Sequence, residues 1–203
     1  MLIFAFLIDF VLLGICLMKR KRRWLLFLFV PFLLVFLLYQ SVGMYHNCQS
    51  RAIKMSYLQV RRATATDSVK YSNHCDYPLY VVAFSTNRRL EDIQEYNLRM
   101  YCSLTKSDFS YSDVVYDKDK TRFESNDITY IGQEGDAFLY EAPFQLILYR
   151  DVYSSDTPMT EITKDDVTDC PHCKVFFVEM LSTIYGTSEM VIPKDSLLRL
   201  MPY

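Results

Sequence analysis

Glycine is scarce in this chain, with five in 203 residues. There is no phosphate-binding glycine loop, no GxSxG elbow and no HExxH pair, so nucleotide hydrolysis, serine-hydrolase and zinc-protease chemistry have no motif to stand on. Excess positive charge is missing as well. Twenty-two Lys and Arg against 24 Asp and Glu leave a net charge of −2, which excludes a basic nucleic-acid binder. No Asn-x-Ser/Thr sequon occurs, in keeping with a bacterial chain. The sequence has no internal repeat or low-complexity tract, and its composition excludes a collagen-like or disordered protein.

What the chain does have is an uneven distribution of apolar residues. The mean hydropathy of +0.03 averages two different parts. Residues 1–45 hold one acid, Asp9, and five bases, Lys19, Arg20, Lys21, Arg22 and Arg23; nearly everything else there is aliphatic or aromatic. Taking these from the whole-chain totals leaves 17 bases and 23 acids in residues 46–203, a net charge of −6. The arrangement predicts a membrane-embedded end joined to one acidic domain of ordinary size.

Two hydrophobic runs make up the expected anchor, residues 1–45. The second, WLLFLFVPFLLVFLLYQSVGMY at residues 24–45, carries no charge over 22 residues, enough helix to cross a hydrocarbon core of about 30 Å. Trp24, Tyr39 and Tyr45 stand where interfacial aromatic belts form, and Pro31 predicts a kink that a membrane helix tolerates. The first run, MLIFAFLIDFVLLGICLM, is interrupted by Asp9 at a cost of about 2.5–3.5 kcal/mol, which the surrounding Leu, Ile and Phe outweigh. Asp9 is the candidate contact to a membrane partner, since intramembrane acids are usually functional. The expected topology is a two-pass helical hairpin: helices near residues 2–18 and 24–44, and a cytoplasmic basic turn at 19–23. A secretory leader would place its basic residues first, whereas here they follow the first run.

Residues 46–70 read as a stalk leading into a first strand, with Arg51, Lys54, Arg61 and Arg62 close to the expected bilayer; these bases suit either a solvated face or lipid headgroups. Residues 71–203 read as an extracytoplasmic α+β domain on one mainly antiparallel sheet, with one or two helices. Leu79-Tyr80-Val81-Val82-Ala83-Phe84 predicts a buried strand, and residues 88–100 predict a helix capped by Asn87. Further strands are expected at 113–116, 128–131, 137–140, 144–153 and 189–192, with a break at Ala142-Pro143, a turn at 132–135 and an acidic loop over 154–169.

The outer domain carries Cys48, Cys75, Cys102, Cys170 and Cys173. In an oxidising compartment disulfides are the default, and the spacing favours Cys75–Cys102 and a local Cys170–Cys173 pair, leaving Cys48 free. The tetrapeptide Cys170-Pro171-His172-Cys173 resembles the active site of periplasmic thioredoxin-fold disulfide oxidoreductases. That resemblance implies a thiol at a helix N-terminus, where the dipole favours the thiolate, with the helix running on to Gly186. It covers four residues, and the segments after Cys173 predict only one helix and one or two strands, short of a thioredoxin fold. A metal reading also exists, because His74 adjoins Cys75 and His172 lies between Cys170 and Cys173, and imidazole and thiolate are zinc or copper ligands.

Two functions compete at this stage. The first is a non-enzymatic, two-pass inner-membrane protein whose periplasmic part, residues 46–203, binds a periplasmic or membrane protein, a basic one by charge. It would use no cofactor and no nucleic acid, in the manner of immunity, exclusion or envelope- and secretion-assembly proteins. The second is a thiol-disulfide or metal-handling protein built on Cys170 and Cys173.

Overall fold

The computed structural model describes residues 23–71, 78–93, 97–105, 107–116, 122–148, 160–178 and 184–202. The chain divides into two units, Met1–Tyr45 and His46–Tyr203. The described part of the first unit belongs to one helix, α1 (Arg23–Arg51), which contains Pro31. Side chains of residues 23–30 and of Phe32 lie outside the described set, as does everything before Arg23, including Asp9, Cys16 and the first hydrophobic run. Among the described residues no helix is long and apolar enough to cross a membrane. Over the described side chains the apolar run covers residues 33–38 and is then broken by Gln40, Ser41, His46 and Asn47. Within it Leu33 is half-buried, and Leu34, Val35, Phe36, Leu37 and Leu38 are each 40–66% exposed.

The second unit is α+β with mainly antiparallel sheets and few, short helices. Its strands are β1 (Met55–Arg62), β2 (Leu79–Thr86), β3 (Leu98–Ser103), β4 (Arg122–Ser125), β5 (Thr129–Glu134), β6 (Ala137–Gln145), β7 (Ile147–Leu148), β8 (Thr160–Glu161), β9 (His172–Val178), β10 (Ile184–Gly186) and β11 (Met190–Val191). Three short helices, α2 (Ala65–Lys70), α3 (Tyr111–Tyr116) and α4 (Lys194–Leu198), lie between or after them. One sheet runs β1-β2-β6-β5 and the other β10-β9-β3-β4, with β11 continuing the β10 side of β9. The pair β7-β8 stands apart.

The two large sheets enclose one core. Tyr80, Val82 and Phe84 of β2 alternate inward and meet Tyr140, Ala142 and Phe144 of β6; from the other sheet come Met100, Cys102, Phe123, Cys173, Val175 and Phe177. Phe123 stacks on Phe144 with ring centres 4.4 Å apart. β2 is apolar on both faces because Val81 and Ala83, on the opposite face, are buried too. The sheets are joined where β11 approaches β1: Ser188 N donates to Ile53 O at 3.0 Å, and Met55 N donates to Ser188 Oγ at 3.3 Å.

The expected strands at 79–84, 128–131 and 189–192 form, with the hairpin turn falling on Gly135-Asp136, where Gly135 takes φ +56°. Several other expectations are corrected. The helix expected over 88–100 does not form among the described residues there: one 3₁₀ turn, Leu90–Asp92, is followed by β3 from Leu98, because Leu98, Met100 and Cys102 alternate into the core with period 2. Residues 113–116 are helical rather than extended. Ser110 N donates to Asp113 Oδ2 at 2.7 Å while Asp113 N donates to Ser110 Oγ at 3.3 Å, the reciprocal pair of a capping box. Ala142-Pro143 does not break β6. Pairing with β5 stops at Glu141, so the missing N–H of Pro143 leaves no ladder bond unmade on that side. The segment after Cys173 is strand β9, not helix, since Val175, Phe176, Phe177 and Val178 pack on both faces of a sheet.

Candidate functional site

β9 separates two environments by alternation. Cys173, Val175 and Phe177 point into the core, while His172, Lys174 and Phe176 point to the outer face of their sheet. On that face Tyr101 of β3, Phe109 and Phe176 form a second buried aromatic cluster, with Tyr111, Val178 and Ile184 packed against it. Phe176 sits at the centre, with ring contacts to Tyr101, Phe109 and Tyr111 at 5.6–6.0 Å. Its ring lies close over Gly186, where a Cβ would come within 2.9 Å of Cε1; only glycine fits beneath it. Burial pushes the Tyr101 phenol up to about 12.

Above this floor opens a cleft of about 470 Å³, rimmed by Asn47, Arg51, Asp108, Ser110, Lys174 and Glu189. Its charged groups are linked in series. Lys174, nine-tenths buried, donates from Nζ to Asp108 Oδ1 at 2.8 Å and to Phe109 O at 3.0 Å, and the same Nζ lies 5.4 Å from the Phe109 ring centre. Asp108 adopts the left-handed conformation, φ +50°, which Asp tolerates, and its N–H donates to Glu189 Oε2 at 2.5 Å. The other oxygen of Glu189 meets His172 Nδ1. The Lys174 hydrogen bond holds the Asp108 carboxyl below its ordinary range, with Arg51 adding a weaker pull.

Sequence-predicted residues fall unevenly around this site. Cys102 and Cys173 are joined to each other, not to Cys75 and Cys170. The register of β3 and β9 sets them directly opposite, with Cα atoms 4.0 Å apart and both side chains fully buried. The expected pairings Cys75–Cys102 and Cys170–Cys173 are thereby overturned, since each needs a cysteine already committed. Cys48 and Cys170 are free thiols. His172 is at the cleft, but its partner is Glu189 rather than a thiol. His74 and Cys75 lie outside the described residues. The metal reading loses Cys173 to the disulfide, and no group of three or more potential ligands comes together among the described residues.

Lys174, Asp108 and Glu189 were missed from sequence. Lys174 did leave a signal, as a lone cation inside the apolar run HCKVFFV of β9, but Asp108 and Glu189 read as ordinary loop acids.

On the outer face of the first sheet, Arg61 clamps α2 in place. Its Nη1 meets Asp67 Oδ2 at 2.5 Å and its Nη2 meets Glu141 Oε1 at 2.9 Å. Asp67 also closes the capping box with Thr64. The Arg61 hydrogen bond, with one from the Thr64 backbone, keeps Asp67 well below the usual carboxylate range. This group fastens a helix rather than opening to solvent.

No protein-family model, curated protein or solved structure matches this chain.

Proposed function

We propose that this is a non-enzymatic bacterial inner-membrane protein whose periplasmic domain, residues 46–203, binds another protein through the cleft beside β9. The observation that carries the reading is how the cleft is built. Lys174, Asp108, Glu189 and His172 are already paired with one another, over a floor of Phe109, Phe176 and Tyr111. A reactive centre needs a nucleophile or base with a free valence aimed at substrate. A recognition site needs what is present here: rigid aromatic side chains at the centre and a polar rim.

Two further observations support the membrane and compartment parts. Successive apolar side chains stand exposed around α1 from Leu34 to Leu38, and a helix apolar all round is covered either by a protein core or by lipid. The buried Cys102–Cys173 bond fits an oxidising compartment. Immunity, exclusion and envelope- or secretion-assembly proteins share this plan, in which tethering raises local concentration so that a modest interface suffices. The thiol-exchange alternative finds less support, because Cys173 is buried in a bond to Cys102 and Cys170 has no partner cysteine within its own tetrapeptide.

The test is capture of partners from detergent-solubilised membranes by the wild-type chain and by Asn47→Trp, which fills the cleft from its rim. The reading expects a stoichiometric protein partner that is retained by wild type and lost with the variant. Absence of any such partner, or equal retention by both, overturns it.

A further inference from the structure

The hydrogen bonds of β9 fix which way the backbone of its neighbour faces. Val178 N donates to Asn97 O at 3.3 Å on the side of β3, whereas Thr187 N donates to Val175 O at 2.9 Å and Ile192 N to Pro171 O at 2.9 Å on the other. The odd-numbered residues of β9 therefore turn their backbone groups toward β10 and β11. Tyr185 lies opposite Phe177, so it pairs inward. Ile184 and Gly186, on either side of it, turn N–H and C=O outward, because an antiparallel ladder alternates. β10 is the end strand of its sheet. Two residues beyond Gly186 the same edge already has a main-chain partner, where Ser188 N donates to Ile53 O at 3.0 Å. Among the described residues nothing bonds the outward groups of Ile184 and Gly186, and both residues line the cleft.

The charges around the cleft are satisfied unequally too. Lys174 is taken by Asp108 and Phe109 O, and Glu189 by His172 and the Asp108 N–H. Arg51 also lines the cleft and is exposed. Among the described residues it makes neither an ion pair nor a hydrogen bond, and it reaches Asp108 only through a longer-range pull.

We infer that the cleft binds an extended segment of the partner protein, which joins the sheet beside β10 as an added strand and brings an aspartate or glutamate to Arg51; the inference rests on the protein-binding reading of the cleft given above. Outward N–H and C=O groups on residues two apart, roughly 6.8 Å along a strand, are matched by another extended chain. A helix cannot match them, since its own backbone groups are spent internally. An unpaired strand edge is a template for such pairing, in which main-chain bonds supply affinity and side-chain pockets supply specificity. Here Phe109, Phe176 and Tyr111 form the apolar floor for a side chain of the added strand, and the Arg51 guanidinium offers a carboxylate its planar fork. A domain of net charge −6 repels an acidic tract, so Arg51 selects a single carboxylate.

The experiment pans a displayed library of random linear dodecapeptides on the full chain in detergent, with counter-selection on Asn47→Trp. Recovered peptides are expected to carry an Asp or Glu at a common position. Methylating their backbone nitrogens one at a time is expected to weaken binding several-fold at alternate residues only. Residue-resolved hydrogen exchange is expected to slow at the Ile184 and Gly186 amides when peptide binds, and to stay unchanged at Thr187, whose N–H is already bonded. Arg51→Gln is expected to weaken the synthetic peptides about tenfold, the effect of losing one charged hydrogen bond. Recovery of no peptide, a methylation profile without alternation, unchanged exchange at Gly186, or full affinity in Arg51→Gln each overturns the inference. Slow Gly186 exchange in the peptide-free chain that quickens on dilution makes the occupant a second copy of this chain, and overturns it as well. Partner capture with Asn47→Trp reads the cleft separately. Equal retention overturns the cleft reading and this inference together, whereas loss of the partner with the variant, without edge protection by any peptide, overturns this inference alone.

Discussion

Replacing Cys102 and Cys173 together by alanine removes a cross-link between residues 71 apart in sequence. The loop-closure relation gives about 15 cal/mol/K for a loop of this length, or about 4.4 kcal/mol at 25 °C, and native disulfides removed from small secreted domains typically cost about 2–5 kcal/mol. Both sulfurs are fully buried in the central core cluster, so the alanines also leave unfilled space beside Met100 and Val175 rather than gaining water. The expected loss is about 3–5 kcal/mol, which in a domain of this size lowers Tm by roughly 6–20 °C at about 2–4 °C per kcal/mol. Near-UV circular dichroism of the full chain in detergent follows the melt, because the signal reports the packed aromatic rings. A loss below about 1 kcal/mol would refute the reasoning, since it would mean the crossing of β3 and β9 holds equally well without the bond. Peptide mapping of the oxidised protein that found Cys102 joined to Cys75 would refute it more directly.

Other substitutions test other parts of the fold. Tyr140→Phe leaves the buried Leu90 N–H without its acceptor, now 2.9 Å away, and removes the donor to Glu91 Oε2 at 2.7 Å; denaturant titration is expected to show a loss of about 1–3 kcal/mol. Phe123→Ala empties a fully buried position stacked on Phe144 and is expected to cost about 3–5 kcal/mol by the same measurement. Asp67 has its folded pKa depressed by Arg61 and the Thr64 N–H. Its contribution is therefore complete above the unfolded value of about 3.9 and is lost as pH falls below it. Asp67→Asn should flatten the stability curve below about pH 4, and an unchanged acid slope would count against the clamp on α2.

The legible parts of the sequence were those in which one local pattern decides the outcome. Residues 79–84 are apolar without interruption and form an inner strand of the first sheet; the β5–β6 hairpin was legible as a hairpin, but the turn expected over 132–135 falls on Gly135-Asp136 because Gly132–Glu134 are paired strand. The misreadings share a cause. In residues 88–100 and 175–185 the apolar side chains fit a helical spacing and an alternating one at once. Where the structure describes them the second wins, in β3 because Leu98, Met100 and Cys102 alternate into the core and in β9 because its outer face is also covered, by Phe109 and Tyr111. The disulfide was illegible for a different reason. Which cysteine faces Cys102 depends on the register of two strands separated by 71 residues, and composition and spacing carry no information on register. The cleft was missed: its one signal was Lys174, a lone cation in the apolar run of β9.

The inner and outer faces of β9 are tied by that register. Cys173 opposite Cys102 places Lys174 opposite Tyr101 and His172 opposite Ser103, and the Lys174 ammonium then reaches the loop that carries Asp108 and Phe109. A slip of one residue would turn Lys174 inward and Cys173 outward, because strand side chains alternate. A buried cation without its carboxylate is strongly unfavourable, so the polar chain on the outer face and the covalent bond on the inner face select the same register independently. Reduction of the disulfide therefore lowers the stability of the domain without releasing β9 to a new register. The cleft keeps its arrangement for as long as the domain stays folded. A domain built this way separates stability from shape: the bond adds to the stability of the fold, and the Lys174–Asp108–Glu189–His172 series sets the form of the cleft.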